Sequence, residues 1–261
     1  MTYPGGKNGS GVYQQIINRI PPHKVYIEPF LGSGAVLRMK GPATVNIAID
    51  IDPEVIKSFC PDTTPNLTIE SRDALKYLKS TVFPPDTFIY CDPPYLFNTR
   101  KTKRKIYRFE FSEDDHTDLL NTLKSLKCMV MISGYSNALY SAALRDWHTA
   151  TFQTTNRAGS KVMETLWMNY PAPVRLHDYQ YIGTDFRERE RIKRKRNRWA
   201  SRLLAMPDLE RHALMDHIAN LDDACSHRQT ERSAPVPIAD HIDVVDDAGH
   251  IPPRTLRRQI K

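Results

Sequence analysis

The chain has 261 residues, 40% hydrophobic and 26% charged, with a formal net charge of +7 and a sequence pI of about 9.2. This is the make-up of a soluble globular protein with one large core or a core plus a small accessory unit; no apolar run approaches the ~20 residues of a bilayer span, and the N-terminus lacks the apolar core of a signal peptide. Cys60, Cys91, Cys128 and Cys225 stand far apart without Cys-x-x-Cys or finger-spaced histidines, which argues against a zinc or disulfide framework, fits a reducing cytoplasm, and leaves the positive charge to favour a polyanionic partner.

Strand and helix patterns alternate along the chain, as in a doubly wound α/β sheet. Helix periodicity covers 9–20. The apolar run 25–30 then reads as a strand, followed by the loop Gly32-Ser33-Gly34 and a helix over 34–40. Gly-x-Gly is a weak signal. It lacks the third glycine of the dinucleotide fingerprint and the Gly-Lys-Ser/Thr of a P-loop. A second strand, 45–50, ends in Asp50, which is placed for ribose hydroxyls or, equally, for a turn or helix cap. Helices over 53–59 and 73–80 flank a strand at 67–71, and Asp73 suits a helix N-cap.

The strand 87–91 runs into Asp92-Pro93-Pro94-Tyr95. A proline pair ends a strand in any case, because it fixes φ and removes donors. It also fixes a carbonyl beside a carboxylate and an aromatic face, equipment that suits a flat base carrying an exocyclic amine. Beyond it, Ser112 with Glu113, Asp114 and Asp115 starts a helix over 113–126, with Leu119, Leu120, Leu123 and Leu126 as its buried stripe. A strand at 128–133, a helix at 136–145 and an antiparallel hairpin of 149–154 with 164–169 complete seven strands.

Tyr3-Pro4-Gly5-Gly6-Lys7, Glu28-Pro29-Phe30-Leu31-Gly32-Ser33-Gly34 and Asp92-Pro93-Pro94-Tyr95, in that order, resemble the Dam-type DNA adenine-N6 methyltransferases of bacteria and phages. The resemblance covers roughly residues 1–172. It implies a Rossmann-like methyltransferase fold, a seven-stranded, mostly parallel sheet with an antiparallel edge hairpin. It implies S-adenosylmethionine as cofactor, held by Tyr3, Gly5, Lys7, Glu28, Phe30, Gly32, Gly34, Asp50 and Asp73. Asp92, Pro93, Pro94 and Tyr95 would hold the flipped adenine. No catalytic metal is expected. Larger members insert a recognition domain between cofactor loop and catalytic motif, whereas the 34–92 interval here has room only for ordinary strand–helix units.

Two basic windows stand out. Residues 98–108 contain six Lys/Arg and no acid, and residues 185–202 contain nine Lys/Arg and three acids, an excess of six in each. Such a run is either a solvated face or a nucleic-acid contact. The first begins three residues past Tyr95, so Arg100, Lys101, Lys103, Arg104, Lys105 and Arg108 are expected against a nucleic-acid backbone. Lys193, Arg194, Arg196 and Arg198 in the second are expected to face phosphate, while an apolar seam including Trp199 and Leu203 packs inward. The organisation expected is a catalytic domain at 1–185, a basic helical extension at 186–225 and a flexible tail at 226–261. Duplex DNA is the expected substrate. An RNA adenine methyltransferase and a catalytically silent nucleic-acid binder are the alternatives.

Overall fold

The computed structural model describes residues 6, 7, 9, 11–59, 64–100, 107–155 and 159–232, with side chains described as far as residue 221. Two compact units divide the chain, Met1–Arg198 and Trp199–Lys261. In the first, β1 (Val25–Glu28), β2 (Val45–Asp50), β3 (Leu67–Ser71), β4 (Thr87–Cys91), β5 (Met129–Gly134), β6 (His148–Thr155) and β7 (Lys161–Met168) form one sheet. The helices between them are α1 (Val12–Ile17), α2 (Ala35–Met39), α3 (Pro53–Ser58), α4 (Ala74–Ser80), α5 (Glu113–Ser125) and α6 (Ala138–Ala143). Helix α7 (Phe186–Leu204) spans the division, and α8 (Asp208–Arg232) lies in the second unit.

The strand order is β3-β2-β1-β4-β5-β7-β6. Strands β1 to β5 pair in parallel, and β7 runs antiparallel to both β5 and β6. This is the seven-stranded, mostly parallel sheet with an antiparallel edge hairpin expected from the sequence, and each expected strand lies within three residues of its observed bounds. Every residue of the central strand β4 is buried, as expected of a parallel strand covered on both faces, whose sequence is a near-continuous apolar run after Thr87. The edge strand β6 instead alternates half-buried and exposed residues. Helix α5 opens with a full capping box, in which Ser112 accepts from the Asp115 amide and the Asp115 carboxylate accepts from the Ser112 amide. Leu119, Leu120 and Leu123 are buried as expected, while Leu126 caps the helix and is only partly buried.

Side chains alternate across a pleated sheet with a period of two, and this sorts the core into two layers. Phe88, Tyr90, Tyr26, Met131, Leu166 and Met168 share one layer with α1 and α2. Ile89, Cys91, Ile27, Ile132 and Trp167 share the other with α4, α5 and α6. The same parity puts Glu28, Asp92, Ser133 and Glu164 on the α1–α2 side. All four belong to the edge where the parallel strands end.

The helical extension departs from expectation. No residue of α7 is buried, Trp199 is 48% exposed and Leu204 is 76% exposed. A stretch with nine basic side chains has little apolar area to drive packing, so the seam including Trp199 and Leu203 stays at least partly in solvent. Of the tail expected to be flexible from residue 226, α8 takes in residues 226–232, and the remainder lies outside the described residues.

Candidate active site

Asp92 follows the last residue of β4 and is flanked by the ends of β1 and β5. Open α/β sheets bind ligands at this carboxyl edge, where the order of the strands reverses. Its Oδ1 accepts from Ser133 Oγ at 2.8 Å and lies 3.0 Å from Lys7 Nζ. Ser133 is the penultimate residue of β5 and is also within 3.0 Å of the Tyr90 hydroxyl. Both partners of Asp92 among the described residues fall on Oδ1, so Oδ2 is the oxygen left for a substrate N–H. Burial raises the Asp92 pKa, and the Lys7 ammonium works against that rise.

Glu164 was missed by the sequence reading and lies at the centre of the cluster. It is 3% exposed, and its Oε1 accepts from both Lys7 Nζ and the Tyr95 hydroxyl. Lys7 also donates to the Tyr95 hydroxyl, with its ammonium 4.7 Å from the centre of that ring. One buried lysine therefore joins two carboxylates and a phenol; burial alone would lower its pKa, and the two carboxylates outweigh burial and raise it. Glu164 can reach the site because β7 runs backwards beside β5, with Thr165 opposite Gly134. Its parity with Leu166 and Met168 was the signal available in the sequence. Tyr95 packs edge-on against Tyr135, centroids 4.7 Å apart.

The cofactor side is built from loops after β1 and β2. Gly32 and Gly34 hold φ of 49° and 62°, in the left-handed region that side chains disfavour. A Cβ on Gly34 would collide with the Phe59 ring. Asp50 takes the Gly32 amide on Oδ2 and the Asp52 amide on Oδ1, both at 2.9 Å, and ties the glycine loop to β2. Each oxygen retains a lone pair for a hydroxyl donor. Next to it, Ile51 is an apolar side chain 42% exposed. Asp73 caps α4 by accepting from the Lys76 amide at 3.0 Å. Phe30 is half-buried and meets Phe111 edge-on at 5.5 Å. Carboxylates for hydroxyls and an amine, an exposed aliphatic residue and a glycine turn form a donor set that fits a nucleoside-bearing cofactor.

Glu28 faces inward instead. Its Oε2 accepts from the Tyr26 hydroxyl at 2.7 Å and the Leu37 amide at 3.1 Å, and burial raises its pKa to about 8. It anchors the start of α2 under the glycine loop. Tyr3 and Gly5 lie outside the described residues.

The basic loop residues divide. Lys101, Lys103, Arg104 and Lys105 lie outside the described residues. Arg108 is exposed and pairs with Asp52 at 3.0 Å. Arg100 departs from its expected place against phosphate: its side chain is 5% exposed and its guanidinium is engaged by Glu110. On α7, Lys193, Arg194, Arg196 and Arg198 are all exposed. Arg194 and Arg198 line a shallow cleft with Arg191 and Lys195. These four have the i, i+3, i+4, i+7 spacing of one helix face, whereas Lys193 and Arg196 point elsewhere. No group of three or more metal-ligating side chains occurs among the described residues, and none of their helices is long and apolar enough to cross a membrane.

Residues 50–158 match the family of D12 class N6 adenine-specific DNA methyltransferases, which bears out the Dam-type resemblance and S-adenosylmethionine as cofactor. Among curated proteins, none matches the sequence. Solved structures similar to the chain include a dimethyladenosine transferase from Plasmodium falciparum, at 16% identity and TM-score 0.39, covering 60% of each chain. The 23S rRNA methyltransferase ErmE is 12% identical with TM-score 0.39, over 63% of this chain and 68% of that one. The N-methyltransferase NodS from Bradyrhizobium japonicum is 10% identical with TM-score 0.43, over 61% of this chain and 93% of that one.

Proposed function

We propose that this D12-class enzyme, a Dam-type adenine methyltransferase by its match over residues 50–158, acts on duplex DNA and methylates the N6 amine of an adenine turned out of the helix. The observation that carries the reading is Asp92 at the strand edge, held through Oδ1 by Ser133 and Lys7, which leaves Oδ2 to accept from a substrate N–H. S-adenosylmethionine, when bound, supplies an electrophilic methyl group. Asp50 and Asp73 are suited to its ribose and adenine, with Gly32 and Gly34 shaping the loop beneath.

The N6 amine of adenine is a poor nucleophile because its lone pair is delocalised into the ring. Asp92 Oδ2 and the Pro93 carbonyl, accepting its two hydrogens, draw it towards tetrahedral geometry and localise that pair for in-line attack. Positioning and electrostatics supply most of the help, since the lysine-paired carboxylate is a weak base. Pro94 fixes the backbone direction into Tyr95, and the Tyr95 ring, with its hydroxyl fixed by Glu164, offers the face on which the base stacks. A base inside the duplex cannot reach such a site, which is why extrusion is part of the proposal. The exposed arginines and lysine of α7 give the phosphate backbone a basic face to lie on.

The test is methyl transfer to matched duplex DNA, single-stranded DNA and structured RNA of one sequence, with 2-aminopurine at the target reporting extrusion. Preference for the duplex with a fluorescence rise on binding supports the proposal. Preference for the RNA overturns the DNA assignment, and an unchanged signal overturns extrusion.

A further inference from the structure

Arg100 is an arginine in a basic window, yet solvent hardly reaches it. Its Nε donates to the Tyr95 carbonyl at 2.6 Å, and Nη1 donates to Glu110 Oε1 at 2.9 Å. Nη2 lies 2.6 Å from Glu110 Oε2. Glu110 Oε1 accepts in turn from the Tyr107 amide at 3.0 Å, and the guanidinium carbon lies 5.0 Å from the Tyr107 ring centre. One planar group thus donates to the carboxylate through Nη1 and to the carbonyl of Tyr95 through Nε, with Nη2 in close ionic contact with the same carboxylate. Charge-assisted hydrogen bonds from a rigid guanidinium fix geometry as well as charge.

We propose that Arg100 and Glu110 form a clamp that positions Tyr95 for base stacking, and that Arg100 is a positioning residue and not a phosphate contact. The proposal rests on the methyltransferase reading above. Tyr95 is then held at two points, its hydroxyl by Glu164 and its carbonyl by Arg100. The prolines before it restrict the backbone on the other side. A ring fixed in this way loses little freedom when a base arrives, and small misplacements of such a platform are costly. Displacement by about 1 Å can slow a reaction on the order of a hundredfold.

The clamp and a phosphate contact differ in what a lysine can do. A lysine is a point charge without the planar fork, so it neutralises phosphate but cannot hold Tyr95 and Glu110 together. Arg100→Lys, Arg100→Gln and Glu110→Gln are compared with the native chain by single-turnover methyl transfer to a duplex containing N6-methylatable adenine. The salt dependence of duplex affinity and S-adenosylmethionine binding are measured alongside. Arg100→Lys and Glu110→Gln are each expected to slow transfer about 10- to 100-fold, with cofactor affinity within about twofold. The logarithmic salt slope should be unchanged, where a phosphate left unneutralised would reduce it by about 0.9. The double variant Arg100→Lys/Glu110→Gln should be no slower than about twice the worse single one, because both break the same clamp. Glu110→Gln keeps the shape of the site and carries the test if the arginine variants fold poorly. A native rate for Arg100→Lys, or a salt slope that falls with Arg100→Gln while transfer at saturating duplex stays native, overturns the clamp alone. A native chain that methylates no adenine overturns the functional reading and the clamp with it.

Discussion

Replacing Glu164 with glutamine keeps its shape and removes only its charge. In the native cluster the Lys7 ammonium lies 3.0 Å from Asp92 and also contacts Glu164. At 3.0 Å and an effective dielectric of about 20, each such attraction is roughly 5 kcal/mol before desolvation, and desolvation removes much of it. The glutamine carbonyl still accepts from the Tyr95 hydroxyl, and Asp92 still neutralises Lys7, so no charge is orphaned. The loss is therefore that of a hydrogen bond to a charged group, about 1.5–3 kcal/mol, below the 3–5 kcal/mol of a fully broken buried pair. The consequence for catalysis is separate. With its second counter-ion gone, Lys7 binds Asp92 alone, and the target amine must compete for a neutralised carboxylate. A penalty near 2 kcal/mol corresponds to about 30-fold in rate, at 1.36 kcal/mol per factor of ten. Urea titration reads the stability change, and single-turnover transfer at saturating cofactor and duplex reads the rate. The expected result is a 10- to 100-fold slower transfer with cofactor affinity within about twofold. A rate within twofold of native, whatever happens to stability, refutes a role for Glu164 in the chemistry.

Asp50→Ala removes the carboxylate that ties the glycine loop to β2 and is expected to raise the cofactor KM with little change in kcat, the pattern of weakened ground-state binding; a lowered kcat with unchanged KM would contradict it. Changing Arg191, Arg194, Lys195 and Arg198 to glutamine should weaken duplex binding and flatten its logarithmic salt slope by up to about 0.9 for each phosphate no longer neutralised, and an unchanged slope would mark the α7 face as solvated only. Glu28, raised to about 8 by burial, keeps its proton in the folded chain where the unfolded chain has given up its own. Its contribution to stability is full below the unfolded carboxylate value and is lost as pH rises towards 8. Thermal melts of Glu28→Gln should therefore gain on the native chain steadily between pH 5 and pH 8. Lys40, lowered to about 7 by burial and held up by Glu28, slopes the other way and responds to the substitution, so the comparison is made in a Lys40→Met background, where a flat difference would contradict a buried protonated Glu28.

The positions of the strands, the glycine loop and the Asp92-Pro93-Pro94-Tyr95 turn were legible because each is a local pattern. Apolar runs of strand length, a Gly-x-Gly turn and a proline pair declare themselves within a few residues. Glu164 was not legible in the same way. A glutamate in the apolar run 161–168 becomes meaningful only once β7 is known to lie antiparallel to β5, which brings it beside Ser133 and Asp92. Arg100 misled for a related reason. Charge counting treats every arginine in a window as equivalent, but Glu110, ten residues on, folds back on this one and takes it out of solvent. Density of charge does not fix the angle around a helix: of the four α7 residues expected to face phosphate, only Arg194 and Arg198 share one face, with Arg191 and Lys195. The seam including Trp199 and Leu203 followed helical spacing, yet spacing alone does not provide a surface for it to cover.

The central claim is that Asp92 acts on the amine of adenine and not on the cofactor. The most direct measurement supplies labelled S-adenosylmethionine and an adenine-containing duplex to the native chain, Asp92→Ala and Asp92→Asn, and identifies the methylated nucleoside by mass. Expected is N6-methyladenine from the native chain and at least a hundredfold less from either variant, about 2.7 kcal/mol of transition-state stabilisation removed, with cofactor affinity retained by both. Label on a different base, or near-native N6-methyladenine from Asp92→Ala, would contradict the account.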